Sequence, residues 1–298
     1  MSIKSILIAG GGIAAWSAAA LLAKQLPHIK IGVLETAMPD EATVESAMPS
    51  LREFHRLLKI NEREIALATD ASFKMATQFS DWLRPGQDYW LGLGESGNSL
   101  DGVEFQHYAT LLHQCGDSSA YDAYSLTAQA ARHHKFNPLS GEQQALGFQL
   151  PYALQMDAKR DKSILQDFAR ALGVSAMRGE IAQLELDPVS GNINALHMQG
   201  GGQVSADFFI DCTGSSAQVI GQLAGDRFVQ TEQHKLLCDR RLDWVTPVQS
   251  PGCTSLKAQT TGWKKSIPLR SCTHQQYFYS SDFLTDEQAL ATITILYP

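Results

Sequence analysis

The sequence predicts an α/β fold built on a parallel sheet, and three stretches of the chain carry this prediction. The apolar run Ser5–Ala9 is typical of a buried strand, and glycines occupy positions 10 to 12 directly after it. Residues 17–24 continue as a helix rich in alanine and leucine, and residues 29–34 form a second apolar strand that ends at Glu35. Strand, glycine turn, helix and a strand ending in an acid make a dinucleotide-binding fingerprint.

The residues of this turn each have a physical role in holding a nucleotide. Gly10 allows the tight turn, and Gly12 lets the backbone approach a pyrophosphate. Ala15 replaces the third glycine and still permits close packing of helix on strand. The helix N-terminus offers N–H groups and a positive dipole end to the phosphates. Glu35 follows the turn by about 20 residues, where an acid binds an adenosine ribose and favours NAD or FAD over NADP.

The later part of the chain favours a flavin. Ile181–Leu186 and Ile193–Met198 alternate in polarity, and residues 204–210 continue as a third strand that leads into Asp211 and Gly214. A β-meander that returns to a buried strand ending in Thr-Gly is typical of a flavin-binding nucleotide domain. An NAD dehydrogenase would continue with β-α-β units. The sequence therefore predicts FAD, with a plain antiparallel insert as the other reading of the meander.

Composition excludes several classes of protein. The 298 residues carry a net charge of −7, which gives no electrostatic footprint for nucleic acid. No apolar run approaches the roughly 20 residues that a membrane span needs, and no signal-peptide pattern is present. Five scattered cysteines contain no C-x-x-C pair, so we expect reduced thiols, no metal site and a cytoplasmic protein. Residues 84–104 are predicted to be loop, and residues 106–135 helical in pieces.

Lys74 is surrounded in sequence by aromatic side chains. Phe73, Phe79 and Trp82 flank it, which suggests a partly buried surface that bears an amine. A lysine in such a place ordinarily extends its amine to solvent. Spacing alone therefore leaves both a functional and a purely structural role open for Lys74.

Stretches along the whole chain resemble the motifs of one family, in the same order. They are GGGIAAW at 10–16, PSLREF at 49–54, Phe73-Lys74, the YA and DA pairs at 152–153 and 157–158, FIDCTG at 209–214, LLCDR at 236–240, Trp263 with Ile267-Pro268, and YSS at 279–281. The family that these stretches resemble is the flavin-dependent tryptophan halogenases.

The resemblance implies a reaction and a set of site residues. Reduced FAD, delivered by a separate flavin reductase, reacts with O₂, and a halide (chloride or bromide) is oxidised to hypohalous acid. Lys74 matches the family's lysine, which transfers the electrophilic halogen to an indole or another electron-rich small aromatic, either as a hydrogen-bonding ammonium or as a haloamine. Together with the fingerprint, the resemblance assigns the cofactor to Gly10, Gly12, Ala14, Ala15, Glu35, Glu45, Ser46, Ile181, Asp211 and Gly214.

The resulting prediction is a single FAD-binding module of halogenase type over residues 1–298. It combines a Rossmann-like nucleotide domain of the glutathione-reductase type and a β-meander with helical and mixed-sheet insertions. The nucleotide-binding parts are predicted at about 1–50 and 150–225, the insertion at 51–149, and the start of a substrate region at 226–298. A homodimer is left open.

The sequence also departs from the family pattern. Residues 42–49 lack both glycines of the family's GVGEATIP, residues 91–94 replace its H-x-F-G, and Lys265 stands in place of the second tryptophan of its W-x-W-x-I-P. The family's chains are longer, and their catalytic glutamate lies beyond the point that matches Pro298. We therefore expect this polypeptide by itself to lack halogenating activity. Two alternatives follow: a flavin monooxygenase, or a non-catalytic FAD-binding remnant.

Overall fold

A computed structural model describes residues 3–37, 42–137, 150–224, 237–248 and 252–296. Its strands are β1 Ser5–Ala9, β2 Lys30–Glu35, β3 Val44–Ser46, β4 Ser72–Ser80, β5 Asp88–Gly92, β6 Ala153–Asp157, β7 Ser175–Arg178, β8 Ile181–Leu186, β9 Ile193–Met198, β10 Gln203–Ser205, β11 Phe208–Asp211, β12 Arg240–Thr246, β13 Gly252–Gln259, β14 Gly262–Pro268 and β15 Thr273–Tyr279. Its α-helices are α1 Ile13–Gln25, α2 Pro49–Leu58, α3 Glu62–Ala68, α4 Phe105–Gln114, α5 Leu126–Arg132, α6 Ala158–Ala171, α7 Ile220–Ala224 and α8 Asp286–Leu296.

The chain divides into two units, each made of segments that are distant in sequence. The first unit comprises Met1–Thr43, Arg56–Ile60 and Ala158–Thr231. The second comprises Val44–His55, Asn61–Asp157 and Glu232–Pro298.

A four-stranded parallel sheet forms the centre of the first unit. Its strand order is β11-β1-β2-β7. β1 thus lies between β2, which ends at Glu35, and β11, which ends at Asp211. Trp16 and a series of alanines form the buried side of α1, which packs against α6. Because the four strands run in one direction, the ends of β1, β2 and β11 lie at one edge, where open α/β sheets bind ligands. The predicted α/β fold and its strand–turn–helix–strand start are confirmed.

The meander is present, but its last strand differs from the prediction. β8, β9 and β10 form a three-stranded antiparallel sheet. Residues 204–210, predicted as one strand, instead belong to β10 in this sheet and to β11 in the parallel sheet. The carboxylate of Asp207 accepts hydrogen bonds from the backbone N–H groups of Lys4 and Ser5, at 2.8 and 2.9 Å. This bonding holds the start of β11 beside β1, so the chain changes sheets at Ala206 and Asp207.

An eight-stranded mixed sheet forms the centre of the second unit. Its main order is β12-β15-β14-β13-β4-β6-β3, and β5 pairs with β4 outside that path. β4 and β13 are parallel, while the other pairs are antiparallel. The prediction of loop throughout residues 84–104 is therefore wrong for β5. The turn before this strand is closed by a hydrogen bond of 2.6 Å from the Gly86 N–H to the carboxylate of Asp81.

The helical prediction for residues 106–135 is confirmed. Residues 106–135 contain α4 and α5 with a break between them. The side chain of Asn61 caps α3 by accepting from the N–H groups of Arg63 and Glu64. A further helix, α8, begins at Asp286 and extends to Leu296.

Candidate active site and nucleotide-binding turn

The glycine turn after β1 leaves no room for larger residues. Gly10 has a φ of +132°, and a Cβ built on it would lie 2.2 Å from the carbonyl oxygen of Cys212. A Cβ on Gly11 would lie 2.8 Å from the carbonyl oxygen of Thr36. The turn therefore packs backbone against backbone on two sides, and glycine is required sterically at Gly10.

The start of α1 has the properties of an anion-binding helix end. Gly12 is its N-cap in extended conformation, without a side chain that caps the helix, and no acidic residue lies in the first turn. Ala14 is exposed, whereas Ala15 is fully buried against the sheet. Backbone N–H groups and the positive dipole end are therefore available to a phosphate, while Ala15 provides the close helix packing expected of it.

Glu35 lies at the end of β2, as predicted, but it already has polar partners. Its carboxylate accepts from Arg178 at 3.0 Å and from Gln166 at 3.2 Å. The Arg178 side chain is 88% exposed, so this ion pair contributes little to stability. Sequence reasoning missed Arg178, although it ends β7, where the sheet register pairs it with Glu35.

The predicted residues Asp211, Gly214 and Ile181 have different surroundings. Asp211 accepts four hydrogen bonds, two from Thr213 and two from the backbone N–H groups of residues 219 and 220. Burial opposes its ionisation, yet these bonds lower the pKa of Asp211. The carboxylate thus shapes the turn that contains Gly214, whose φ is +67°. Ile181 is buried in a core with Leu34.

One buried hydroxyl beside the turn has no hydrogen-bond partner among the described residues. Thr36 follows Glu35, its residue is 5% exposed, and its Oγ1 makes no hydrogen bond to any residue that the structure describes. An unsatisfied buried hydroxyl costs stability unless another group binds it. The backbone turn, the uncapped helix end and this orphaned hydroxyl together fit the donor groups that a bound dinucleotide needs.

In the second unit, Lys74 is buried in the mixed sheet. Its residue is 5% exposed, and its Nζ donates one long hydrogen bond of 3.4 Å to the carbonyl oxygen of Ala47. No carboxylate forms an ion pair with it among the residues that the structure describes. Burial, and after it the charge of Lys265, lowers the pKa of Lys74 to about 8. The expectation that this amine reaches solvent is wrong.

A β-bulge in β4 begins at Lys74. Gly252 pairs with Lys74, but the next residue of β13, Cys253, pairs with Ala76. Met75 is therefore an extra residue in β4 with no counterpart in β13. Bulges of this kind redirect side chains and are frequent beside active sites.

A chain of buried polar groups lies along the same strands. Gln155, which is completely buried, donates through its Nε2 to Ser72 Oγ at 3.1 Å and accepts from Thr254 Oγ1 at 2.6 Å. Thr254 also contacts the hydroxyl of Ser46, the residue next to Glu45 on β3. Ser46, one of the residues assigned to the cofactor, is thus held by side chains of the second unit itself.

Five aromatic side chains form a row on this sheet, which we call the aromatic row: Phe79, Trp82, Tyr89, Trp263 and Phe278. Phe79 stacks on Tyr89 at 4.8 Å, and Trp263 stacks on Phe278 at 4.0 Å between ring centroids. Trp82 lies between these pairs, 6.1–6.2 Å from Phe79 and Trp263. Of the aromatics noted around Lys74 in sequence, Phe79 and Trp82 belong to this row, whereas Phe73 stacks on Phe136.

An apolar cavity of about 350 Å³ flanks the β4 segment that carries Lys74. Phe73, Met75, Phe136 and Leu269 line it. Lys74 is not among its lining residues, so the structure does not bring the amine and this cavity together.

Comparison with known proteins agrees with the fold and the motifs. The family profile described as tryptophan halogenase matches residues 5–297. This chain belongs to the tryptophan halogenase family. It is 30% identical to tryptophan 7-halogenase KtzQ of a Kutzneria species over 96% of this chain and 57% of the relative. It is 26% identical to tryptophan 6-halogenase SttH of Streptomyces toxytricini over 97% of this chain and 59% of the relative.

A solved structure gives the same result. BrvH, a flavin-dependent halogenase from a Brevundimonas species, superimposes with a TM-score of 0.84 at 32% identity, over 97% of this chain and 59% of that one. The chain therefore spans somewhat less than two thirds of the length of these halogenases. The FAD-binding α/β fold predicted from the sequence is the fold of this family.

Other observations bear on the predicted cofactors and location. All five cysteines are free. In the described ranges, no cluster of three or more His, Cys, Asp or Glu side chains is placed to bind a metal ion. None of the helices described has the length and apolar character of a membrane span.

Proposed function

We propose that this chain is the FAD-binding part of a flavin-dependent halogenase that acts on an indole or another electron-rich small aromatic. Bound reduced FAD would supply the oxidising chemistry, with O₂, that converts a halide to hypohalous acid. A separate flavin reductase would provide the reduced flavin, and the setting would be cytoplasmic. The observation that carries this proposal is the buried amine of Lys74, which forms no ion pair with a carboxylate of the described residues, in a chain of this family.

The residues of the first unit suit the binding of the dinucleotide. Gly10 and Gly12 would let the backbone approach the pyrophosphate, and the N–H groups at Ala14 and Ala15 lie at the helix end that would face it. Glu35 would bind the adenosine ribose after Arg178 moves aside, which an exposed side chain does at low cost. The assignments of Asp211, Gly214, Ile181, Glu45 and Ser46 to the cofactor stay predictions.

Lys74 would carry the halogen-transfer step. Its amine lies where water has little access, which protects an electrophilic halogen from hydrolysis. With a pKa of about 8, the side chain supplies both an ammonium, which can donate a hydrogen bond to hypohalous acid, and a neutral amine. No carboxylate among the described residues neutralises the charge of the ammonium form.

Mass spectrometry of an indole reaction would test the proposal. The mixture contains the protein, FAD, a flavin reductase, NADH, O₂ and bromide. We expect no bromination by residues 1–298 alone and a bromine isotope doublet when they are joined to the C-terminal part of a related halogenase. In that joined protein Lys74→Ala should abolish the doublet, while Lys264→Ala retains it. Bromination that persists in Lys74→Ala would contradict the role of this lysine.

The same reaction separates the alternatives. A hydroxylated product that forms without halide would identify a flavin monooxygenase. FAD binding, measured by quenching of flavin fluorescence, without any product from the joined protein would identify a non-catalytic flavin-binding protein. The proposed function requires both FAD binding and a halide-dependent product.

A further inference from the structure

Lys265 is the charged side chain that most affects Lys74. Both lysines lie near the segment 44–47, because the Lys74 amine donates to the carbonyl oxygen of Ala47 and Val44 packs against Ile267 of β14. Lys265 lies in β14 and is half-buried. Its register partner in β13 is Leu256, whose partner in β4 is Phe79, so the three side chains share one row across the sheet. Trp263, two residues before Lys265, lies on the same face. The second lysine therefore lies on the face of the sheet that carries the aromatic row.

β3 lies across this part of the sheet and supplies a counter-charge. Val44 packs against Ile267, which is two residues beyond Lys265 in β14. This contact brings the carboxylate of Glu45 into the electrostatic neighbourhood of Lys265, where it raises the pKa of that lysine while burial lowers it more strongly. Lys265 thus has a carboxylate to sustain its charge, whereas Lys74 has none.

The remaining titratable neighbour of Lys74 is a thiol. Cys253, in β13, is buried, and its burial raises its pKa to about 11, so it is neutral at physiological pH. The charge of Lys265 is then the only electrostatic influence from a neighbouring ionised side chain on Lys74 within the described part of the chain. The carboxylate of Glu45 stabilises the charge of Lys265, and the positive charge of Lys265 in turn disfavours the protonated form of Lys74.

We propose that Lys265 is a positioning residue whose charge keeps part of the Lys74 population as the neutral amine, the form that reacts with an electrophilic halogen. This inference rests on the proposed function. In the step it favours, the Lys74 nitrogen attacks the halogen of hypohalous acid. A nitrogen–halogen bond forms as the halogen–oxygen bond breaks, and the departing hydroxide takes a proton from nitrogen and becomes water. The halogen keeps its oxidation level and is passed on to the aromatic.

The sign of the effect follows from the charges. A nearby cation disfavours the protonated form of Lys74, so replacing Lys265 by a neutral residue raises the pKa of Lys74. The fraction of neutral amine at neutral pH then falls, and the haloamine step slows. Lys265→Arg keeps the charge and should preserve the proton affinity of Lys74.

A direct titration of Lys74 tests this inference without any turnover. Lysine labelled with ¹³C at Cε is incorporated into the full chain, and the Lys74 signal is assigned by its loss in Lys74→Met. The Cε shift is then followed from pH 6 to 11 in the unchanged protein, Lys265→Met, Lys265→Arg and Lys264→Met. Lys264 is the matched control, because it precedes Lys265 in β14 but points to the other face, above the ring of Tyr277.

The expected midpoint for Lys74 in Lys265→Met is higher by roughly half a pH unit or more, which corresponds to about a threefold loss of neutral amine at pH 7. Lys265→Arg and Lys264→Met should titrate like the unchanged protein. An unmoved midpoint in Lys265→Met would overturn the inference, whether or not the protein halogenates. In active protein, the pH at which bromination reaches half its maximum should move in the same direction.

Discussion

The nucleotide-binding turn and the Lys74 site differ in how the chain builds them. The elements of the turn are local: β1, three glycines and α1 lie within about 20 consecutive residues. Its closest contacts, with the carbonyl oxygens of Thr36 and Cys212, are set by backbone atoms. The Lys74 site gathers β3, β4, β6, β13 and β14, whose residues are up to about 220 positions apart, and it depends on side chains. Substitutions around the turn are therefore expected to be tolerated better than substitutions of its glycines. The surroundings of Lys74, in contrast, can be altered by substitutions in any of several strands.

The largest effect is expected from Gly10→Val in the turn. The new side chain would collide with the carbonyl oxygen of Cys212 and would also require a φ that valine avoids. We expect a loss of more than about 3 kcal/mol in the free energy of unfolding, measured by urea titration, and loss of FAD binding. Gly221→Ala in α7 is the control, because its Cβ would meet nothing nearer than 3.7 Å. A stable Gly10→Val that binds FAD would show that the turn is not sterically fixed.

Lys74→Met should increase the free energy of unfolding, whereas Gly10→Val lowers it. Burial lowers the pKa of Lys74 from 10.5 to about 8, so the folded protein resists protonating this group. The cost is complete below pH 8 and fades as the pH rises towards 10.5, where the unfolded chain also loses the proton. Lys74→Met should therefore be more stable at pH 7, by up to about 3 kcal/mol, and this advantage should disappear near pH 10.5.

Thermal unfolding at a series of pH values measures this difference. Lys30→Met, at an exposed position of the first unit, serves as the control and should show no such pH dependence. If Lys74→Met is destabilising at pH 7, the amine is better solvated than its burial indicates. Lys74 would then not be a group that lowers the stability of its unit, and the two sites would not differ in this respect.

Gln155→Leu tests the polar chain that runs beside Lys74. The substitution removes the hydrogen bonds of Gln155 to Ser72 and Thr254 and leaves each hydroxyl with one remaining partner, the Pro268 carbonyl oxygen and the Ser46 hydroxyl respectively. We expect a loss of about 2 kcal/mol in unfolding free energy. Gln183→Leu, on an exposed position of β8, should change stability by less than about 0.5 kcal/mol. Equal effects at the two positions would show that the buried hydrogen bonds of Gln155 do not contribute to stability.

Glu35→Gln should have the smallest effect, because it alters one contact of an otherwise intact nucleotide site. We expect FAD to bind about tenfold more weakly, with little change in stability, since the Arg178 side of the ion pair is exposed. Flavin fluorescence titration gives the dissociation constant. Glu185→Gln, in an exposed contact with His197, is the control and should leave FAD affinity unchanged. Unchanged affinity in Glu35→Gln would remove this residue from the site.

The same difference between the two sites explains which features the sequence predicted. The turn, the strand that ends at Glu35 and the meander follow from short-range patterns of glycine and apolar residues, so they were predictable. The burial of Lys74 and its proximity to Lys265 were not, because both depend on a parallel pairing of β4 with β13, about 180 residues later. The split of residues 204–210 was missed because continuous β-favouring composition does not reveal which sheet each half joins.

The bulge at Lys74 has a consequence for how β4 can vary. Side chains of a strand alternate between faces, so deleting Met75 would restore an unbroken ladder with β13 and reverse the face of the residues on one side of it. Phe79 would then leave the row that it shares with Lys265, or Lys74 would leave its present surroundings. Substitutions in this strand change one side chain at a time, but a change of length reorients a whole segment. The number of residues between Ser72 and Phe79 is therefore as much a determinant of the site as their identity.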